Sequence, residues 1–291
     1  MADFAQQTCL NILYIQILLT LTIVRKDVLN EIILMGEKVM TAKRIVPISE
    51  KYEIPSRGKV YGDLDVPSEF TLRAMTTLEE KMRLAGQGLS TIPNLINACL
   101  MSPTDFDTSI LKIFDLQFLM YKLRIVTYGP EYKLVVRCDN CGKENDVVVN
   151  LDDLPVKYAE DNYIEPFTVG PLPVSGDIIT CRILSANDFI EIEKESKRIL
   201  SKTPNYVGDP EFILTYRYKI STINGQEVLP FKLQEYIEKM HARDMRFFDS
   251  KYADLTENIG LDFEQVHVCT SCGSDIKYTL QVTDEFFRPK Y

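Results

Sequence analysis

Cys138-Asp139-Asn140-Cys141-Gly142 and Cys269-Thr270-Ser271-Cys272-Gly273 decide how this chain is read. Each segment pairs two thiols across a two-residue gap and is followed at once by glycine. Strand-like sequence flanks both. Tyr132-Lys133-Leu134-Val135-Val136-Arg137 enters the first and Asp146-Val147-Val148-Val149-Asn150-Leu151 leaves it, while Gln265-Val266-His267-Val268 enters the second and residues 275–282 leave it. Two intervening residues let both sulfurs turn toward one ion, and the glycine permits the tight reversal. Two such knuckles supply four thiolates, a set that zinc binds at about 2.3 Å in a closed tetrahedron with no position left for water or substrate. Cys138, Cys141, Cys269 and Cys272 are therefore the expected ligands of one structural zinc, with iron the chemical alternative for the same donors. The gap between the knuckles is unusual. Zinc ribbons commonly place theirs about 15–20 residues apart, whereas 127 residues separate Cys141 from Cys269. The ion would close a very long loop and tie together the two ends of an insert. His267, two positions before Cys269, reads as a strand residue near the site rather than a ligand.

Working outward, Cys9, Cys99 and Cys181 lie singly in apolar surroundings and read as buried free thiols. An odd total of seven cysteines in a 291-residue chain fits a reducing compartment with a metal site better than a disulfide framework. Lys+Arg 33 against Asp+Glu 42 gives a net charge of -9, which weighs against a dedicated nucleic-acid binder. Only Arg137, Lys143 and Lys277 lie close to the knuckles in sequence, so a zinc-ribbon accessory factor of nucleic-acid metabolism is the lesser reading. There is no P-loop, dinucleotide glycine fingerprint, His-Glu-x-x-His or Gly-x-Ser-x-Gly. Asp152-Asp153 reads as a turn or cap pair, and no enzyme is expected.

Residues 10–24 are strongly apolar but fall short of the roughly 20 needed to span a bilayer as a helix. They lack the basic flank and cleavage site of a signal peptide. Two readings stand for residues 1–39: an upstream extension not translated in nature, with Met40 as the start, or an extra helix docked on the body. Ile54-Pro55-Ser56-Arg57-Gly58-Lys59-Val60-Tyr61 reads as an extended arm, a turn and a short strand. It lies either on the protein's own surface or across a neighbouring subunit. Thr77-Leu78-Glu79-Glu80 reads as a capping box. Ser90 opens a second helix with Ile92, Leu95, Ile96, Cys99 and Leu100 on one face. Asp105 or Asp107 caps a third, apolar almost all round to about Thr127, which marks a core or interface helix.

The residues between the knuckles predict a strand over 177–184, a helix capped by Ser185, an aromatic helix at about 210–221, a hairpin turn at Asn224-Gly225 with a short strand 227–229, and a helix at about 232–254. The expected fold class is α+β: a helical N-terminal body, a split four-cysteine zinc ribbon of two β-hairpins, and a mixed helical/β insert between the knuckles. In residues, these are a 1–39 apolar segment, an arm and helical body at 40–131, the ribbon at 132–151 plus 265–283, the insert at 152–264 and a tail at 284–291.

One order of motifs runs through the chain. It begins with Ile54-Pro55-Ser56-Arg57-Gly58 and Tyr61, and continues through the capped helix with Glu79-Glu80. Asp115-x-x-Phe118-Leu119 and Arg124-x-x-x-Tyr128-Gly129 come next, then the knuckles, then Phe286-Phe287-Arg288-Pro289. Over about residues 50–289 this resembles the baseplate hub subunits of T-even-like, contractile-tailed bacteriophages. The resemblance implies a virion or viral tail assembly protein without a catalytic site. It would reside in the tail baseplate, and in the host cytoplasm during assembly. Its partners would be other baseplate and tail proteins, met through the N-terminal arm and the aromatic helices, with a homo-oligomer compatible and neither nucleic acid nor a membrane span expected. A transient baseplate-assembly chaperone is the neighbouring reading. Asp115 and Arg124 match polar positions of the helical body, too far apart to pair along one helix and expected to make separate snorkelled or helix–helix contacts. The metal expectation rests on this chain's own spacing.

Overall fold

The computed structural model describes residues 47–282 apart from Gln87, Pro204 and Glu257, together with 286–288. The chain divides into two units, 1–47 and 48–291. Both readings of residues 1–39, and Cys9, lie outside the described residues.

The elements run in order β1 (Ser49–Glu53), β2 (Glu69–Arg73), α1 (Thr77–Ala85), α2 (Thr91–Cys99), β3 (Leu100–Ser102), α3 (Ile113–Tyr128), β4 (Glu131–Arg137), β5 (Glu144–Asn150), β6 (Val156–Lys157), β7 (Phe167–Val169), β8 (Ile179–Cys181), α4 (Ala186–Lys202), α5 (Pro210–Lys219), β9 (Ile220–Ile223), β10 (Gln226–Glu227), α6 (Pro230–Lys239), α7 (Ala242–Thr256), β11 (Gly260–Leu261), β12 (Glu264–Val268) and β13 (Asp275–Thr279). The result is mixed α+β: among the described residues, seven α-helices and several small antiparallel sheets. β1-β2-β3 form one sheet and β10-β9-β8-β7 another; β4-β5, β12-β13 and β11-β6 are two-stranded.

Helix α3 organises the body. With no polar face to leave in water, ten of its sixteen residues are buried. Its apolar side chains meet Phe70 and Leu72 of β2 and Leu95, Ile96 and Cys99 of α2 in one core. It is thus a core helix of its own chain, so its aromatic residues Phe114, Phe118 and Tyr121 are not free to meet partners. The arm is likewise internal. Its strand is Ser49–Glu53, paired with β2, while Val60 falls in a turn and Tyr61 in a bend instead of a strand, and Ile54, Ser56, Val60 and Tyr61 are all buried. The periodicity missed β2 because five residues with a Glu-Phe-Thr-Leu-Arg pattern carry too short a signal.

Two polar residues reverse the snorkelling expectation. Asp115 and Arg124 are 0% and 1% exposed. They serve separate partners, as their spacing requires. Asp115 accepts from the Ser56 amide at 3.0 Å and the Tyr61 hydroxyl at 2.7 Å, and Tyr61 in turn accepts from the Lys112 amide. Arg124 donates to the carbonyls of Gly129, Glu131 (2.6 Å) and Phe286 (3.3 Å). Residue 286 is therefore no loose tail: Phe286 is fully buried between Tyr121 and Tyr132.

Burial pushes the Asp115 carboxyl up to about 6, against the hydrogen bonds from Ser56 and Tyr61 that lower it. A raised folded-state value means that folding favours the protonated form. The associated stability is full below about pH 4 and is lost as pH rises through 6, on the order of 3 kcal/mol in all. Denaturant titrations of wild type and Asp115→Asn at steps from pH 4 to 7 will show the wild type losing stability relative to the variant by that amount as pH rises. A pH-independent difference would refute the account.

Helix α1 is inverted. Its only buried residue is Glu79, whereas Leu78 is 63%, Met82 40% and Leu84 57% exposed. The capping box begins one residue earlier than the sequence suggested. Thr76 accepts from the Leu78 amide, and Glu79 accepts from the Thr76 amide at 2.7 Å and from Arg73 at 2.7 Å. Arg73 first and then Thr76 hold the Glu79 carboxyl down to about 2.

Other boundaries also move. Asp107 caps a single 3-10 turn, Thr108–Ile110, and α3 starts after Lys112. The helix expected over 232–254 breaks at Met240-His241 into α6 and α7. The strand expected over 177–184 is only Ile179–Cys181, and the one at 227–229 is Gln226–Glu227. Ser185 does cap α4, in a reciprocal pair with Asp188, and Asn224-Gly225 turns between β9 and β10 with both residues at positive φ.

The insert has a core of its own, with Ile179, Cys181, Tyr216, Ile220, Ile237 and Phe248. It is not independent of the body. Leu154, Ala159, Ile183, Ala186 and Ile259 belong to the body's core. The Lys112–Glu165 ion pair, 2.7 Å long and nearly buried, joins α3's start to the insert, and Glu165 also accepts from the Ile183 amide.

Candidate metal centre

Strict alternation builds the first half-site. In β4-β5, Tyr132, Val136, Asn145, Val147 and Val149 face the core while Lys133, Val135, Asp146 and Val148 face solvent. The second hairpin pairs Val268 with Asp275 and His267 with Ile276. At each tip the chain reverses in the same way. The Cys138 amide donates to Lys143 O and the Gly142 amide to Cys138 O; the Cys269 amide donates to Ser274 O and the Gly273 amide to Cys269 O. Gly142 and Gly273 adopt φ of 72° and 73°, a left-handed conformation that a side chain would strain.

These reversals bring all four sulfurs together within 4.8 Å of one another. Cys138 and Cys272 lie 3.7 Å apart, as do Cys141 and Cys269. A disulfide would require about 2.05 Å. A regular tetrahedron with donors about 2.3 Å from its centre has edges of about 3.75 Å. The spacing therefore fits a tetrahedral metal and excludes disulfides. Cys138 and Cys269 are buried and Cys141 and Cys272 exposed. The centre thus sits at the edge of the core with one side toward solvent.

The sulfurs are chemically unequal. The Ser274 hydroxyl and amide, with Asn140, hold the Cys272 thiol down to about 5. The Lys143 amide lowers Cys141, but protons shared with Cys272, Cys138 and Cys269 outweigh it and push that thiol up to about 11. Four thiols this close cannot all ionise unaided; a divalent cation at their centre removes that conflict. By contrast, burial pushes Cys99 and Cys181 up to about 12, as expected of inert structural thiols.

His267 is not among the clustered donors. It is half-buried on β12, and its Nε2 has no hydrogen-bond partner among the described residues. Two residues that the spacing argument did not single out belong to the site. Asn145, 2% exposed, accepts from the Thr270 amide and hydroxyl, both at 2.9 Å, and places its amide 3.7 Å from the Cys269 sulfur. Asn140 donates to the Ser274 hydroxyl at 2.9 Å and lies 3.7 Å from the Cys272 sulfur. The one available signal was an asparagine at an inward-facing strand position, where an apolar residue would be usual.

The family model described as T4 bacteriophage base plate protein matches residues 46–288. The chain belongs to that family. The match takes in the body, both knuckles and the whole insert. No curated protein and no solved structure matches the chain. As a member of the base plate family, the protein is a structural component of a phage tail, with other tail proteins as its partners and the virion tail as its place. Among the described residues no helix is long and apolar enough to cross a membrane.

Proposed function

We propose that this base plate protein is a subunit of the baseplate hub, clamped by one structural zinc and carrying no catalytic centre. The observation that carries the proposal is the cluster of four sulfurs, which closes the donor set and joins the two ends of the insert. A four-thiolate zinc has no open position, so it holds structure and does no chemistry on a substrate. Cys138 and Cys141 from the first hairpin and Cys269 and Cys272 from the second would hold the ion.

The hub assignment rests on the order of motifs that resembles hub subunits. Ser56, Tyr61, Asp115 and Arg124 of those motifs make buried polar ties within the body, and Gly129 accepts a further bond from Arg124. The outward apolar residues Leu78, Met82, Leu84 and Leu89 suit a part that is held between neighbours.

Two measurements test the reading. Elemental analysis of the purified chain should give one zinc per chain; a metal-free, fully folded protein would overturn the zinc clamp. Mass spectrometry of purified particles should find the chain in mature virions. Its presence on assembly intermediates and absence from finished particles would replace the hub subunit with an assembly chaperone.

A further inference from the structure

The two hairpins are alike in backbone but not in what they offer each other. Aligned knuckle on knuckle, Asn140 of the first corresponds to Ser271 of the second, and Asn145 to Ile276. Both asparagines belong to the first half-site, and both reach across to the second. Asn145 stands behind the cluster, buried, with its carbonyl oxygen receiving both Thr270 donors and its amide shared between Lys143 O at 3.1 Å and the Cys269 sulfur at 3.7 Å. Asn140 stands at the exposed rim, bridging Ser274 and the Cys272 sulfur. No bond in this set passes through an ion.

We propose that Asn145, assisted by Asn140, is a positioning residue that docks the second knuckle onto the first without metal and aims amide hydrogens at Cys269 and Cys272, so that a cation enters an assembled four-sulfur site. The inference rests on the structural-metal reading of the same site. The physical reason is that the shared apolar core holds the ends of the 127-residue loop and these asparagine bonds hold the knuckle tips, so the ion does not have to order the tips as it binds. A preformed clasp moves that ordering into the fold. Hydrogen bonds to thiolate sulfur also stabilise its charge, and outer partners of this kind typically change metal affinity by about 10–100-fold.

Two substitutions separate docking from sulfur contact. Asn145→Ala removes both. Asn145→Asp keeps an acceptor for Thr270 but loses the donor to Cys269 and adds a negative charge. Full-length wild type and both variants would be titrated with zinc against a chromophoric chelator, then with cobalt to read the sulfur-to-metal charge-transfer bands. Both variants should bind zinc about 10–100-fold more weakly, and Asn145→Asp should shift the cobalt bands, which a merely structural role would leave in place. In metal-stripped protein, hydrogen exchange at Thr270 should be slow in wild type, faster by tenfold or more in Asn145→Ala, and near wild type in Asn145→Asp. Equal affinities and unshifted bands, with wild type still binding one metal, would overturn the positioning role alone. If wild type binds no metal, the zinc reading fails. The docking half then stands or falls on Thr270 exchange: protection lost in Asn145→Ala would sustain it, and unchanged exchange would end it.

Discussion

Replacing Cys138 or Cys272 by serine will reduce bound metal from one per chain to almost none and open the boundaries of the insert to protease. The four sulfurs come from two hairpins at opposite ends of the insert, so each substitution breaks the ring at a different end with the same result. Isolated zinc fingers derive roughly 10–16 kcal/mol from their ion, which sets a ceiling. Here the Asn145–Thr270 bonds, the Lys112–Glu165 ion pair and the shared apolar core remain. The loss should therefore be a few kcal/mol, lowering the unfolding midpoint by about 10 °C for a domain of this size. Limited proteolysis, read by mass spectrometry, should give new cleavages between 151 and 265 while the body from β1 to α3 stays intact. Full protease resistance together with full metal content in a Cys138/Cys272 double variant would show that the cluster grips nothing.

Arg124→Met will destabilise the body as severely, by a different route. Methionine fills much of the same volume, so little cavity results. What remains are the carbonyl oxygens of Gly129, Glu131 and Phe286 without their donor, that of Phe286 in a buried setting and the other two partly buried. Removing one partner from a buried charged network costs on the order of 3–5 kcal/mol. Arg124→Lys will recover only part of it, because a single ammonium cannot reach three carbonyls that a planar fork reaches at once. Denaturant unfolding of all three proteins checks this; a methionine variant within 1 kcal/mol of wild type, on the scale of an ordinary surface change, would remove Arg124 from its central place.

Much of this was legible in the residues. The knuckles, with glycine after the second thiol and β-branched strands on either side, determine two hairpins almost unaided, because their chemistry is local. The Ser185 cap and the Asn224-Gly225 turn are local in the same sense. What was hidden depends on distant partners. Nothing within ten residues of Asp115 says that Tyr61 will lie against it, and Arg124 meets Phe286 from 162 positions away. Asn145 lay just before the strand expected from Asp146 onward and drew no reading; its meaning lies in Thr270, across the insert. The break at Met240-His241 escaped because no proline or glycine marks the stop.

Helix α1 has one more lesson. It is fastened by a handle of Arg73, Thr76 and Glu79, and the groups that fasten it are wholly distinct from its outward Leu78, Met82 and Leu84. The Glu79 contribution is present above the usual carboxylate range and is lost only as pH falls through about 2, so the handle holds at every physiological acidity. Anchorage and display are thus written in separate residues. The displayed leucines can drift over generations to suit a changing neighbour without unseating the helix that bears them.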